Sequence, residues 1–157
     1  MRKRLITQDI QDTSPVEKNW LDLENLARAE LTSEDAAHPI ESALKPNTGP
    51  GWRAAEPGEQ TVRLLFDTPA QVKHIRLLFH EDEQARTHEF VLRWSPDGGK
   101  SFQEIVRQQY NFSPPDTTHE LEDLAVELDG LTVLELRIIP DISGGRAHAS
   151  VAQLYIA

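Results

Sequence analysis

One short segment is flanked by side chains that can bind metals or hydrogen-bond to sugars. His80 and Glu81 stand before it, and Arg86 and His88 stand after it. If two strands form a hairpin here, both histidines lie at its mouth, and neutral imidazoles with a carboxylate can bind a transition metal. The same groups can recognise sugar hydroxyls, for which Arg86 offers a rigid fork of donors. A third interpretation is an exposed loop whose charges are solvated.

A second candidate site is aromatic. Tyr110, Asn111 and Phe112 are followed by Pro114 and Pro115, which predicts a loop tip. Aromatic rings pack against the C–H face of a sugar ring, so this tip is the expected platform of a glycan site. Alternatively, the two rings seal one end of the fold. The sequence does not determine whether this tip meets the segment around Arg86.

Arg146 and His148 follow two glycines, Gly144 and Gly145. Glycines allow a backbone to approach a ligand closely, but more often they only make a turn tight. Both interpretations stay open for this pair.

Sequence motifs of enzymes are missing. The chain contains neither a G-x-S-x-G nucleophile elbow nor an H-E-x-x-H zinc motif. The run from Gly98 to Ser101 lacks the earlier glycine of a phosphate-binding loop. We therefore expect no catalytic activity, no bound metal and no cofactor; a metal-dependent enzyme using His80 and His88 is the weakest alternative.

Charge and composition exclude several classes of function. The 157 residues include 16 Lys and Arg, 26 Asp and Glu and no cysteine, giving a net charge of −10. Without cysteine there is no disulfide, thiol nucleophile or thiolate metal site. The negative charge argues against nucleic acid and against anionic membranes as partners. Arg2–Arg4 precede only Leu5 and Ile6, which is too short for a secretory signal, so we expect a cytoplasmic protein.

Apolar and polar residues alternate along six segments. This period is typical of strands with one buried face, as in antiparallel sheets. The segments are 62–66, 75–79, 90–94, 124–128, 134–138 and 151–156. Turn residues separate them at 67–69, 95–99, 129–130 and 143–145. The pattern predicts an all-β sandwich or barrel.

The first part of the chain follows a different pattern. Ser14, Pro15 and Glu17 are typical of a helix start. Apolar residues then follow on one helical face, at Val16, Trp20, Leu23 and Ala27. We expect the helix to pass into a strand near Ala27, and residues 42–59, rich in Pro and Gly, to be irregular. The predicted organisation is a tail and helical extension over 1–25 and a β-sandwich domain over 26–157.

Residues 26–157 resemble the discoidin-like, or coagulation-factor C-type, domains. The most specific similarity is Phe90–Phe102, which resembles that family's strand, S-x-D-G-G hairpin and following aromatic residue. The other matching parts stand in family order: 32–44, Trp52, 60–69, 72–79, 134–140 and 151–156. The resemblance implies the galactose-binding-like jelly-roll β-sandwich that many carbohydrate-binding modules share. It also implies that an Arg, a His or Glu, and an aromatic residue contact a sugar.

One loop departs from that family. In the family the loop before the conserved tryptophan reads A-x-D-G-N-x-x-T-x-W and holds a structural calcium ion. In this sequence Lys45 stands at the acidic position, and Gln153 stands where the last strand supplies a glutamate. Calcium prefers several carboxylates among its oxygen ligands. We therefore expect no bound calcium near Asn47, and expect Trp52 to pack on the sheet edge.

The resemblance and the motifs predict a non-catalytic binding module. The first hypothesis is glycan recognition by loops at one end of the sandwich, through His80, Glu81, Arg86, His88, Tyr110, Asn111 and Phe112. The second is an intracellular protein–protein interaction module, in which an exposed helix with Trp20, Leu21 and Leu23 contributes. The sequence specifies neither the sugar, the protein partner nor the oligomeric state.

Overall fold

A computed structural model describes residues 19–157. The helix start predicted at Ser14 lies outside the described residues. Two short helices and eight strands follow one another in the order α1 (Leu23–Leu26), β1 (Ala27–Leu31), α2 (Glu41–Leu44), β2 (Trp52–Pro57), β3 (Gln60–His80), β4 (Arg86–Ser95), β5 (Gln103–Phe112), β6 (His119–Ile139), β7 (His148–Val151) and β8 (Gln153–Ile156).

The strands form two layers that share their two longest members. In the first layer, residues 62–66 of β3 pair with β1, residues 133–139 of β6 pair with β4, and β5 is the far edge. In the second layer, residues 72–80 of β3 pair with 119–128 of β6 and with β8. A small sheet of β2 and β7 completes the fold. All of these pairs are antiparallel, so the predicted all-β sandwich is confirmed.

Two predicted turns are bends inside long strands. The sequence separated 62–66 from 75–79 and 124–128 from 134–138, but each pair belongs to one strand. The register between β3 and β6 shifts between Leu65 and His74, where Pro69 stands. On β6 the bend falls at Gly130, whose φ of 73° is unfavourable for other residues. At these two positions the turn residues redirect a strand from one layer to the other rather than ending it.

The core lies between the layers and follows the predicted alternation. Phe79 of the second layer meets Phe90 of the first, with ring centroids 4.9 Å apart. Each fully buried leucine or phenylalanine contributes about 1.5–3 kcal/mol to stability by leaving water. The largest fully buried side chains are Trp52, Phe79, Phe90, Phe112, Leu64, Ile75, Leu77, Leu92, Leu131, Leu134, Leu136 and Ile138.

Three local predictions need correction. Residues 42–59 are not wholly irregular, because they contain the end of α2 and strand β2, which pairs with β7. Tyr110–Phe112 are not a loop tip: they end β5, and Tyr110 pairs with His88. The end of β3 and the start of β4 do not form a hairpin: they lie in different layers, residues 81–85 cross between these layers, and each strand pairs with β6 rather than with the other.

The predicted hairpin between β4 and β5 is confirmed. The Ser95 hydroxyl donates to Asp97 over 2.7 Å and accepts the backbone N–H of Gly99. Hydrogen bonds from Ser101 and Ser95 lower the pKa of Asp97 to about 2. The carboxylate therefore stays ionised and holds the turn through its hydrogen bonds.

The change from helix to strand at Ala27 is confirmed as well. However, the described part of the extension packs against the sandwich. Leu23 is only 2% exposed, and the Leu21 N–H donates to the Ile156 carbonyl over 2.7 Å. The Trp20 ring lies 5.4 Å from that of Tyr155 on β8. The exposed amphipathic helix that the protein-binding hypothesis needed is therefore not formed by residues 19–26.

Within residues 19–157, no helix is both long and apolar enough to span a membrane.

Candidate ligand-binding site

A pocket of about 240 Å³ lies at the end of the sandwich where β3 passes to β4. We call it the loop-end pocket. Its walls come from the loop before α2, from β2, from residues 80–86 and from β7. The residues lining it are His38, Pro50, Trp52, Arg53, His80, Glu81, Asp82, Glu83, Gln84, Arg86, His148, Ser150, Val151 and Ala152.

Glu81 shapes the segment that crosses between the layers. One carboxylate oxygen accepts from Arg86 Nε at 2.6 Å, and the other accepts the Glu83 N–H at 2.9 Å. Burial by itself would raise the pKa of Glu81, but the hydrogen bonds from Arg86 and from the backbone hold it below its usual value. The ionised carboxylate thus folds residues 81–84 into a tight turn on the pocket wall.

Arg86 anchors the same segment to the body of the sandwich. Its Nη1 donates to the Pro140 carbonyl at 2.6 Å, and its guanidinium lies 5.1 Å from the centre of the Phe112 ring. The side chain is only 4% exposed. Two of its donors are therefore committed to the protein. Arg86 lines the pocket, where it largely supports the segment that crosses between the layers.

His88 is in the core rather than at the surface where the sequence analysis placed it. It is 1% exposed, and its Nε2 lies 2.5 Å from Glu120 of the opposite layer. The Phe79 and Phe112 rings pack against it nearly edge-on. Burial, with the charge of Arg86, lowers the pKa of His88 to about 3, so the ring is neutral. Because His80 points away from this interior, the expected pairing of His80 with His88 is wrong.

The aromatic platform expected at Tyr110–Phe112 also needs correction. Phe112 is 2% exposed and closes the sandwich end, as the alternative interpretation had it. Tyr110 is half-buried, and its hydroxyl donates to the His119 carbonyl at 2.8 Å. Asn111 is exposed and accepts a hydrogen bond from the Thr87 hydroxyl. These residues lie beside the loop-end pocket and do not line it.

The two predicted site segments nevertheless approach each other. His80 and His119 are cross-strand partners, and their rings are 4.3 Å apart. Because the Tyr110 hydroxyl binds the His119 carbonyl, β5 is linked through His119 to the residue that opens the pocket segment. The sequence left open whether the segment of Tyr110 meets the segment around Arg86. The structure shows that the two segments are in contact through His119.

Sequence reasoning missed most of one wall of the pocket, where it had named only His148 as a possible ligand contact. Arg53 and Ser150 face each other because β2 pairs with β7, and His38 accompanies them through its carbonyl, which accepts the Arg53 N–H. Gly51 makes this approach possible, since a Cβ there would lie 2.6 Å from the Ala152 backbone. No spacing in the sequence relates residues so far apart.

An inward-facing acidic pair, of which Glu120 is buried and Glu122 is partly buried, was missed as well. Glu120 and Glu122 point inward from β6, opposite the core residues Phe79 and Leu77. Burial raises the pKa of Glu120. Burial, the hydrogen bond to Glu120 and the repulsion from its charge raise the pKa of Glu122 to about 7. Glu120 and Glu122 occupy inward-facing positions of the alternating pattern on β6, and this pattern could have identified them from the sequence.

The loop that resembles a calcium site does not fit the ion. The Thr48 hydroxyl donates to the Lys45 carbonyl at 2.6 Å and lies 3.3 Å from that of Glu41. A hydrogen-bond donor thus occupies the position toward which the loop carbonyls converge, and the side chain at position 45 is cationic. Residues 19–157 also hold no group of three or more His, Cys, Asp or Glu side chains suited to a metal.

Trp52 packs as expected for this loop. It is 1% exposed, and its Nε1 donates to the Ser33 carbonyl at 3.2 Å. The ring therefore forms the floor of the loop-end pocket and presents almost no face to a ligand.

Solved structures show the same fold. A family 32 carbohydrate-binding module of NanJ from Clostridium perfringens, in complex with galactose, superposes with a TM-score of 0.62 at 14% identity, covering 87% of this chain and 96% of that one. The module CpGH89CBM32-5 of the same organism, in complex with GalNAc-β-1,3-galactose, gives 0.64 at 19% identity, covering 88% and 99%.

A family 32 module of AlyQ, in complex with 4,5-unsaturated mannuronic acid, gives a TM-score of 0.54 at 15% identity and covers 89% and 98% of the two chains. No protein-family model matches this sequence, and no curated protein is significantly similar to it. At these identities the likeness concerns the backbone arrangement. The chain has the galactose-binding-like, discoidin-like β-sandwich fold of the family 32 carbohydrate-binding modules.

Proposed function

We propose that this protein is a non-catalytic glycan-binding module and that the sugar binds in the loop-end pocket. The observation that carries the proposal is a polar pocket at the loop end of a fold whose solved examples include modules in complex with galactose and with GalNAc-β-1,3-galactose. Sugar recognition needs a few fixed donors and acceptors in a concave site, and loops on a rigid scaffold supply them.

The donors and acceptors come mainly from the wall that β2 and β7 build. The His148 Nδ1 lies 2.9 Å from the Ala54 carbonyl, which can only accept, so Nδ1 donates there and Nε2 is left for a ligand. His38 is held in the same way by Asp35, 3.2 Å from its Nδ1. The exposed Arg53 supplies donors, and Ser150 supplies a hydroxyl. This set matches the hydroxyl groups of a sugar.

The size of the pocket limits the ligand. About 240 Å³ is below the range of roughly 300–1,000 Å³ that holds drug-sized molecules. We therefore propose that one sugar residue, such as the end of a glycan chain, enters the pocket. Because Trp52 is buried and Phe112 closes the core, binding relies on hydrogen bonds more than on aromatic stacking.

Titration of the chain with monosaccharides, beginning with galactose and N-acetylgalactosamine and extended to a glycan array, tests the proposal. We expect saturable binding that Arg53→Ala abolishes without changing the melting temperature. The matched control is Arg107→Ala, which removes an exposed arginine that does not line the pocket and should bind like the parent. Absence of binding to every glycan, or unchanged binding by Arg53→Ala, would refute the site.

A further inference from the structure

A second concave surface lies where β1 meets the two helices. It is a groove of about 530 Å³, which we call the β1 groove. None of its residues lines the loop-end pocket. They are Leu23, Glu24, Ala27, Ala29, Leu31, Glu34, Ile40, Glu41, Leu44 and Leu64.

The groove exists because an edge strand turns small residues toward the interior. Ala27, Ala29 and Leu31 are opposite Phe66, Leu64 and Val62 of β3, so they point to the core side of the sheet. Ala29 is nonetheless exposed. Strand β1 is the last strand of its layer, and no other described strand lies beyond it. An apolar strip between β1 and α2 is therefore open to solvent.

The charged side chains that line this strip all have the same sign. They are Glu24, Glu34 and Glu41, and all three residues are exposed. Glu34 accepts the Ile40 N–H at 2.8 Å, but within residues 19–157 none of the three glutamates forms an ion pair. An apolar strip bordered by unpaired carboxylates suits a short segment that combines aliphatic and basic residues.

The chain itself contains such a segment. Arg2, Lys3 and Arg4 are followed directly by Leu5 and Ile6. We propose that residues 2–6 dock in the β1 groove of the same molecule, with the aliphatic side chains on the apolar strip and the three cations beside the glutamates. The segment complements the groove in both charge and hydrophobicity.

The connection is long enough for this contact. Residues 7–18 can span roughly 40 Å when extended. They join the described chain at Asn19, which with Trp20 and Leu21 lines a cavity that shares Leu23 and Leu44 with the β1 groove. A tether of this length keeps the local concentration of the segment in the millimolar range, so even a weak contact is populated.

Paramagnetic labelling of the full chain tests the docking. Because the protein has no cysteine, Thr7→Cys introduces a single attachment site for a nitroxide label next to the proposed segment. We expect the label to broaden the methyl resonances of Ala29 and Leu31 strongly, and those of Leu121, on the outer side of β6, weakly. Uniform broadening, or none at the β1 groove, would overturn the proposal.

A charge swap separates docking from a general effect of the label. In the labelled chain, Arg2→Glu with Arg4→Glu should abolish the broadening at Ala29. Adding Glu24→Arg and Glu41→Arg should restore it, because the attraction is then re-formed with the charges exchanged. Failure of the swap to restore a lost signal would contradict the proposed pairing, as would broadening that survives Arg2→Glu with Arg4→Glu.

Mixing labelled protein of natural isotope content with unlabelled, isotope-enriched protein tests whether the contact is intramolecular. We expect no broadening in the mixture. Broadening there would show that the segment docks on a second copy and would overturn the intramolecular proposal. Glycan titration of the same variants keeps this result separate from the proposed function, since no residue of the groove lines the loop-end pocket.

Discussion

Charged residues lie in two contrasting settings in this protein: on the outer face of the first layer and in the interior beneath the loop-end pocket. On the outer face, one row across all five strands alternates in sign, running Glu30, Arg63, Glu135, Arg93, Glu104. In the interior, Arg86 binds Glu81 and His88 binds Glu120.

The two settings differ in what water can reach. Glu135 is fully buried, but its partners Arg63 and Arg93 keep 45% and 30% of their side chains exposed. The interior groups have no such access, since the side chain of the Arg86 cation is 4% exposed and that of the neutral His88 is 1% exposed. A group that loses its partner on the outer face can be hydrated, whereas a group beneath the pocket cannot. The same pair of residue types therefore stabilises to different degrees in the two places.

Removing the interior arginine should have the largest effect. Arg86→Ala leaves Glu81 and the Pro140 carbonyl without their donor, and we expect the free energy of unfolding to fall by about 3 kcal/mol, measured with urea. Arg53→Ala, an exposed arginine of the same pocket, is the control and should change it by less than about 0.5 kcal/mol. Equal losses of unfolding free energy for Arg86→Ala and Arg53→Ala would contradict the claim that burial makes the interior pair the more important one.

Removing Glu135, the centre of the row on the outer face, should lower the free energy of unfolding by less than removing Arg86 does. Glu135→Ala deletes hydrogen bonds of 2.8 Å from both Arg63 and Arg93, but both guanidinium groups can reach water. We expect a loss of about 2 kcal/mol in the same urea measurement. A loss larger than that of Arg86→Ala would show that solvent access does not set the order.

The acidic pair of the interior predicts a dependence on pH. The folded-state pKa of Glu122 is about 7, above its usual 4.5, so its stabilising contribution is complete below pH 4.5 and is lost as the pH rises to 7. Glu122→Gln should remove this loss. Between pH 5 and 8 we expect the parent to lose on the order of 1 kcal/mol relative to the variant, after allowance for solvent screening.

Melting temperatures of both proteins at several pH values check this expectation. His88 has the opposite sign, since its lowered pKa means that its contribution is lost as the pH falls from 6.5 toward 3. The difference between parent and variant, rather than either curve alone, therefore reports on Glu122. Curves that stay parallel from pH 5 to 8 would disprove the assignment.

The smallest effect is expected for a pair that is solvated on both sides. Arg137 and Glu59 are 3.2 Å apart and are 44% and 49% exposed. Arg137→Ala should change the free energy of unfolding by less than about 0.5 kcal/mol, and added salt should not alter that result. A cost comparable to that of Glu135→Ala would remove the distinction between exposed and half-buried pairs.

The fold was predictable because alternation along a strand depends only on which face is buried. The same rule would have placed His88, since it shares the inward parity of Phe90 and Leu92 on β4. His80 has the outward parity next to Phe79. Interpreting the two histidines as a pair ignored this difference. The error came from weighing residue type before strand parity.

The long strands and the pocket wall were harder to predict. Proline and glycine at 69 and 130 are turn signals, and only contacts between distant strands show that they mark bends. Arg53 joins the site through the pairing of β2 with β7, which short-range patterns do not encode. By contrast, Glu81 and Arg86 were singled out because they flank one short segment, and the structure joins these two side chains by a local hydrogen bond.

Because β3 and β6 each run through both layers, the covalent chain fastens the two halves of the sandwich together at two places. Neither layer can unfold while the other keeps all of its interstrand hydrogen bonds, because β3 and β6 belong to both layers. Unfolding should therefore be one cooperative transition, with slow amide exchange shared by residues on either side of the bends.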